Sequence, residues 1–173
     1  MEKQDREKNA IEKAAEDLFN FAVDREDVKE LIAQLPESAD TDSTAAEYEL
    51  PLLKIITVGW SAAYLMENSP HKTQLMQVYW NSVRLFSQNL SETAGLMTGN
   101  DIDYFEIIRQ RFNQYLAAMN NSRDAGDPAA VIGPEFAGAC GNREDVFAVL
   151  TGSKMFAGTI NCVREYLKAF SII

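Results

Sequence analysis

The sequence predicts an all-α protein, a single-domain bundle of five or six mostly antiparallel helices. Three observations predict it. Apolar residues recur at about 3.6-residue spacing rather than in alternation. No hairpin dipeptide separates alternating runs. The breaks carry helix punctuation, with Ser69-Pro70 reading as an N-cap followed by proline at the first helical position, and Gly99 reading as a stop.

The first helix is expected over residues 8–23, with Ile11, Ala15, Leu18 and Ala22 on one stripe. Asp24 is placed to cap a second short helix by accepting the N–H of Asp27. That helix carries Val28, Leu31, Ile32 and Leu35, and the two could equally be one bent helix. Residues 36–47 read as a mobile acidic linker, poor in large apolar groups. The third helix is expected over 48–67, with Pro51 in its first turn, where a missing N–H costs nothing. Its residues Leu52 to Met66 are apolar nearly all round, the mark of a helix covered on several sides.

The fourth helix runs from Pro70 to about Met97 on a stripe that includes Leu75, Tyr79, Val83 and Phe86. Asn100 or Asp101 then caps a fifth helix over 101–121. Residues 124–142 read as an irregular connection, holding one short helix that starts at Pro134 and ends before Gly141. The last helix is expected over 142–170. Gly152 and Gly158 each weaken it by about 1 kcal/mol relative to alanine, so they mark either close helix packing or a kink beside a pocket.

At 173 residues the chain is of single-domain size and long enough to bury a real core. Its net charge is −10, and the acidity is unevenly placed. Residues 1–49 hold 6 basic and 15 acidic groups, whereas residues 50–173 hold 10 and 11. Scattered Lys and Arg in an acidic chain argue against nucleic acid and anionic membrane as partners. No run of 18 apolar residues is present. The opening Met1-Glu2-Lys3-Gln4-Asp5 is too polar for a signal peptide, so the expected location is the cytoplasm. Cys140 and Cys162 sit among small and apolar neighbours without ligand spacing and read as buried free thiols.

Catalytic and metal chemistry finds few candidates. A di-iron bundle needs two Glu-x-x-His pairs, and His71 is the one histidine. Zinc fails on the same count. Asp40-x-Asp42-x-Thr44 starts like a calcium loop, but Ala45 stands where glycine is needed and Pro51 where glutamate is. Gly133 to Gly141 matches no phosphate-binding pattern. Glu106, Arg109 and Arg111 form a carboxylate–arginine set that reads as a solvated helix face. Asn89-Leu90-Ser91 and Asn120-Asn121-Ser122 are chance glycosylation matches without a secretory context.

The expected function is therefore a non-enzymatic protein-interaction module, of the regulator, inhibitor or chaperone kind, with no cofactor. Its acidic quarter would steer a basic protein partner. Asp40, Asp42, Glu47, Glu49, Glu135 and Phe136 are the candidate partner-facing residues. The alternative is a small-molecule binder, with a pocket between the central helices lined by Trp60, Tyr64, Tyr79, Trp80, Tyr104 and Arg109. Buried Tyr and Trp need partners for their polar tips, which favours a partly polar pocket. A homodimer is a further expectation, because the all-round apolar third helix and the apolar tail Ala169 to Ile173 need cover.

Overall fold

The structure, a computed structural model, describes residues 2–36, 42–122 and 126–173, with side chains from Ala10 onward. It is an all-α bundle. Its helical segments are α1 (Glu2–Val23), α2 (Glu26–Ala33), α3 (Ser43–Leu65), α4 (Lys72–Thr98), α5 (Tyr104–Asn121), α6 (Pro128–Ala139) and α7 (Val146–Ala169).

Helix α3 is the axis, and it packs against each of the other six helices. Every residue from Leu52 to Gly59 is buried, as an all-round apolar segment requires. The helix starts earlier than the sequence suggested. Residues 43–47 are its first turns rather than linker, and Asp42 caps them by accepting the N–H of Thr44 at 2.9 Å. Pro51 therefore lies inside the helix and cannot donate to the Glu47 carbonyl one turn back. The Arg25 guanidinium reaches that oxygen instead, at 3.5 Å.

Other caps shift by a few residues. Asp103, not Asn100 or Asp101, caps α5 by accepting the Glu106 N–H. Asp145 caps α7 by accepting the N–H groups of Phe147 and Ala148, so α7 begins at Val146 rather than Asn142. Asp24 accepts from Glu26 rather than Asp27, and α1 and α2 are two helices. Helix α4 begins at Lys72 rather than Pro70, with the His71 N–H bonded to Ser69 Oγ. It ends at Gly99 in the left-handed region, as expected.

The connection at 124–142 is largely a helix. Pro128, not Pro134, occupies the first helical position of α6, and Asp127 caps it. Helix α6 packs against α7 more extensively than any other pair in the bundle. Glycines allow this. A Cβ on Gly152 would lie 2.7 Å from Phe136 of α6, and one on Gly133 would lie 2.6 Å from the Val149 carbonyl of α7. Gly158 has open space, so of the two α7 glycines only Gly152 serves close packing.

One core cluster runs from Ile11 on α1 to Leu167 on α7. Helix α7 has the length and composition of a membrane-spanning helix, but its stripe through Ala148, Met155, Phe156, Val163 and Leu167 is buried. A polar contact ties it to α1, where the Tyr166 hydroxyl donates to Asp17 at 2.8 Å. Lys54 stands on buried α3 with 1% exposure and closes the α1–α2 elbow. Its ammonium donates to the Asp24 carbonyl at 2.8 Å and to Asp27 at 2.7 Å, and lies 4.3 Å from the Phe21 ring centre. The apolar tail is partly covered within the chain, since Ile172 packs on the core while Phe170 stacks on Tyr166.

Candidate functional site

A groove of about 460 Å³, the concavity with the aromatic lining, lies between α3, α7 and the α5–α6 corner. Trp60 and Tyr64, one turn apart on α3, stack with ring centres 5.2 Å apart and planes within 7°. Phe156 of α7 closes the floor, 5.6 Å from Trp60. Phe156, Ile160 and Arg164 follow at four-residue spacing, with Ala157 and Asn161 beside them, so one flank of α7 makes a wall. Met119, Asp127, Pro128 and Ala129 make the other. Tyr64 is 63% exposed, which leaves an aromatic platform facing solvent. The rim is polar: Arg164 Nη1 donates to Asn161 Oδ1 at 2.8 Å, and Asp127 accepts from the Ala129 N–H.

Of the six residues expected to line a pocket, only Trp60 and Tyr64 meet here. Tyr79 is a core residue whose hydroxyl donates to the Ile55 carbonyl at 2.7 Å. Trp80 packs edge-on against Tyr79 and Phe112, beside Gly59. Tyr104 opens α5, its backbone N–H bonded to Ser91, and Arg109 is paired with Glu106 on the exposed face. Between α3 and α5 the packing is nearly complete, and the groove opens toward α7.

Of the described residues expected to face a partner, Asp42 and Glu47 are exposed and Glu49, Glu135 and Phe136 are not. Asp40 lies outside the described residues. Asp42 is a helix cap, and Glu47 is exposed on α3. Phe136 is fully buried against Gly152. Glu49 is 3% exposed and takes a two-pronged ion pair from Arg111, with Nη2 to Oε1 at 2.7 Å and Nε to Oε2 at 2.8 Å. Glu135 is nearly buried, held by Arg143 and by Gln114. Glu49, Phe136 and Glu135 are thus parts of the interior.

Arg111 is a correction as well, since it leaves the Glu106–Arg109 face and turns inward. A sequence signal for this existed. Arg111 falls between Ile108 and Tyr115, one turn from each, on the apolar stripe of α5. Tyr115 is buried beside this pair, and its hydroxyl has no hydrogen-bond partner among the described residues. Burial, and then the Glu49 charge, push its phenol far above the ordinary range.

The same two causes push the Cys140 thiol up to about 12. A buried, protonated thiol is a poor nucleophile. Cys162, by contrast, is exposed on α7, against the expectation that both thiols are buried. One equivalent of thiol reagent is therefore expected to react with the native protein, at Cys162, and two with the denatured one. Rapid native labelling of Cys140, read by mass spectrometry, would contradict this packing.

Comparison with protein-family models, curated proteins and solved structures finds no match to this chain.

Proposed function

We propose that the protein is a small-molecule-binding helical module whose working surface is the aromatic groove between α3 and α7. One observation carries this reading. Exposed Tyr64, stacked on half-buried Trp60, stands above an apolar floor in a concavity of about 460 Å³. Ligand sites are of this kind, mostly apolar and aromatic with a few polar groups at fixed places, and commonly ~300–1,000 Å³.

The test uses 2-naphthamide, a flat uncharged probe, followed by ligand-observed NMR titration. Saturable binding at one site is expected. Ala157→Phe puts a ring into the groove from an exposed position, and is expected to weaken binding by about tenfold, or roughly 1.4 kcal/mol. Absence of binding, or binding indifferent to Ala157→Phe, would overturn the proposal. Weight would then move to a protein partner. The observation favouring that reading is the exposed apolar group Val146, Phe147 and Leu150 at the start of α7.

A further inference from the structure

We infer that the groove's ligand is an acid, with a planar apolar body on the Trp60–Tyr64 platform and an anionic group held by Arg164. This rests on the groove reading above and names the chemistry of what the groove takes.

The charge on the rim is unevenly spent. Two charged residues reach the groove, Arg164 and Asp127. The Asp127 carboxylate is committed to the start of α6, where Oδ1 accepts from the Ala129 N–H at 2.9 Å. Its negative charge faces the positive end of that helix. Arg164 has no acidic partner among the described residues. Its one hydrogen bond goes to a neutral group, Asn161 Oδ1. A guanidinium has five N–H donors in a planar fork and no acceptor. With one donor engaged by Asn161, the outer edge of the fork remains for a two-pronged bond to a carboxylate.

Position adds to charge. Arg164 lies one turn beyond Ile160 and two beyond Phe156 on the same flank of α7. Its head therefore stands at the end of the apolar trough. Asn161, one turn after Ala157, holds the guanidinium from beside it and is a positioning residue.

The experiment compares three probes of one shape: 2-naphthoate, 2-naphthamide and 2-naphthylmethylammonium. Dissociation constants come from the same NMR titration, with the intact protein. The carboxylate is expected to bind about fivefold to tenfold more tightly than the amide, the range of a charge-assisted bond at a partly solvated site. The ammonium is expected to bind weakest. Arg164→Met keeps the apolar stem and removes the fork, and is expected to bring carboxylate and amide to equal affinity. Added salt should shrink the wild-type preference in the same direction.

Equal binding of acid and amide to the wild type, with both blocked by Ala157→Phe, overturns the anionic class and leaves the groove reading standing. A preference for acid that survives Arg164→Met overturns the role of Arg164. Failure of all three probes to bind overturns both readings. Arg164→Lys separates fork from charge, and a loss of most of the preference there supports the two-pronged geometry.

Discussion

Replacing Arg111 with methionine is expected to destabilise the protein by about 4 kcal/mol, more than replacing its partner Glu49 with alanine. Both substitutions break the same ion pair between α3 and α5. What differs is the charge left behind. Glu49 retains 4% of its side-chain surface and Arg111 29%. Without Arg111, a carboxylate stays behind in the interior with no counter-charge, and stranding a buried charge costs ~3–5 kcal/mol. Without Glu49, the long Arg111 side chain can swing its head toward water, so about 2 kcal/mol is expected for its lost bonds and for the space vacated. The double variant Glu49→Met, Arg111→Met leaves no charge behind. It should be more stable than Arg111→Met alone, since apolar replacements of buried pairs are often neutral or better. Urea denaturation of the two single variants and the double checks the order. A smaller loss for Arg111→Met than for Glu49→Ala would show that Glu49 reaches water.

Gly152→Ala and Gly133→Ala are expected to cost about 3 kcal/mol each, although alanine is the better helix former by ~1 kcal/mol. The added methyl has no room in either place. At Gly152 it meets Phe136 Cβ and Cδ1 at 2.7 Å, and at Gly133 it meets a backbone carbonyl at 2.6 Å and the Ser153 hydroxyl. Neither neighbour can turn aside. Phe136 is fully buried, and the Val149 carbonyl belongs to the α7 backbone. The two helices must separate, and the tightest pair in the bundle loosens. Gly158→Ala is the control. It lies in the same helix with open space around it, and should stabilise the protein by up to about 1 kcal/mol. Thermal melts read all three: roughly 6–12 °C lost for each of the first two, at ~2–4 °C per kcal/mol for a chain of this size, and a small rise for the third. A stable Gly152→Ala would mean that α6 and α7 pack less closely than described.

The central place of α3 was legible because a segment apolar on all sides has to be surrounded. Its beginning was not legible. Pro51 reads as a first-turn residue, and what lets it sit deeper is Arg25, a donor from the turn between α1 and α2. The same holds for α6. Its prolines and glycines are locally unfavourable to helix, yet Gly133, with Gly152 of α7, lets the two helices come close enough to hold it. Trp60 and Tyr64 stood among the six expected pocket residues, and they stay together because they are one turn apart on α3. Phe156 and Arg164 were not legible, because nothing local reports that α7 lies across α3. Glu49 was misplaced for a related reason. In an acidic stretch it resembles its exposed neighbours, and its partner stands 62 residues away.

The hydrogen bond from Tyr166 to Asp17 spans 149 residues of chain. Few contacts in the bundle join positions so distant, and the chain entropy lost in bringing two points together grows with the length between them. Neighbouring helices such as α6 and α7, joined through a short turn, meet at far smaller entropic cost. The Tyr166–Asp17 bond is thus expected to close late, after α7 has settled on α3 and α6, and to be among the first to open in brief fluctuations of the native state.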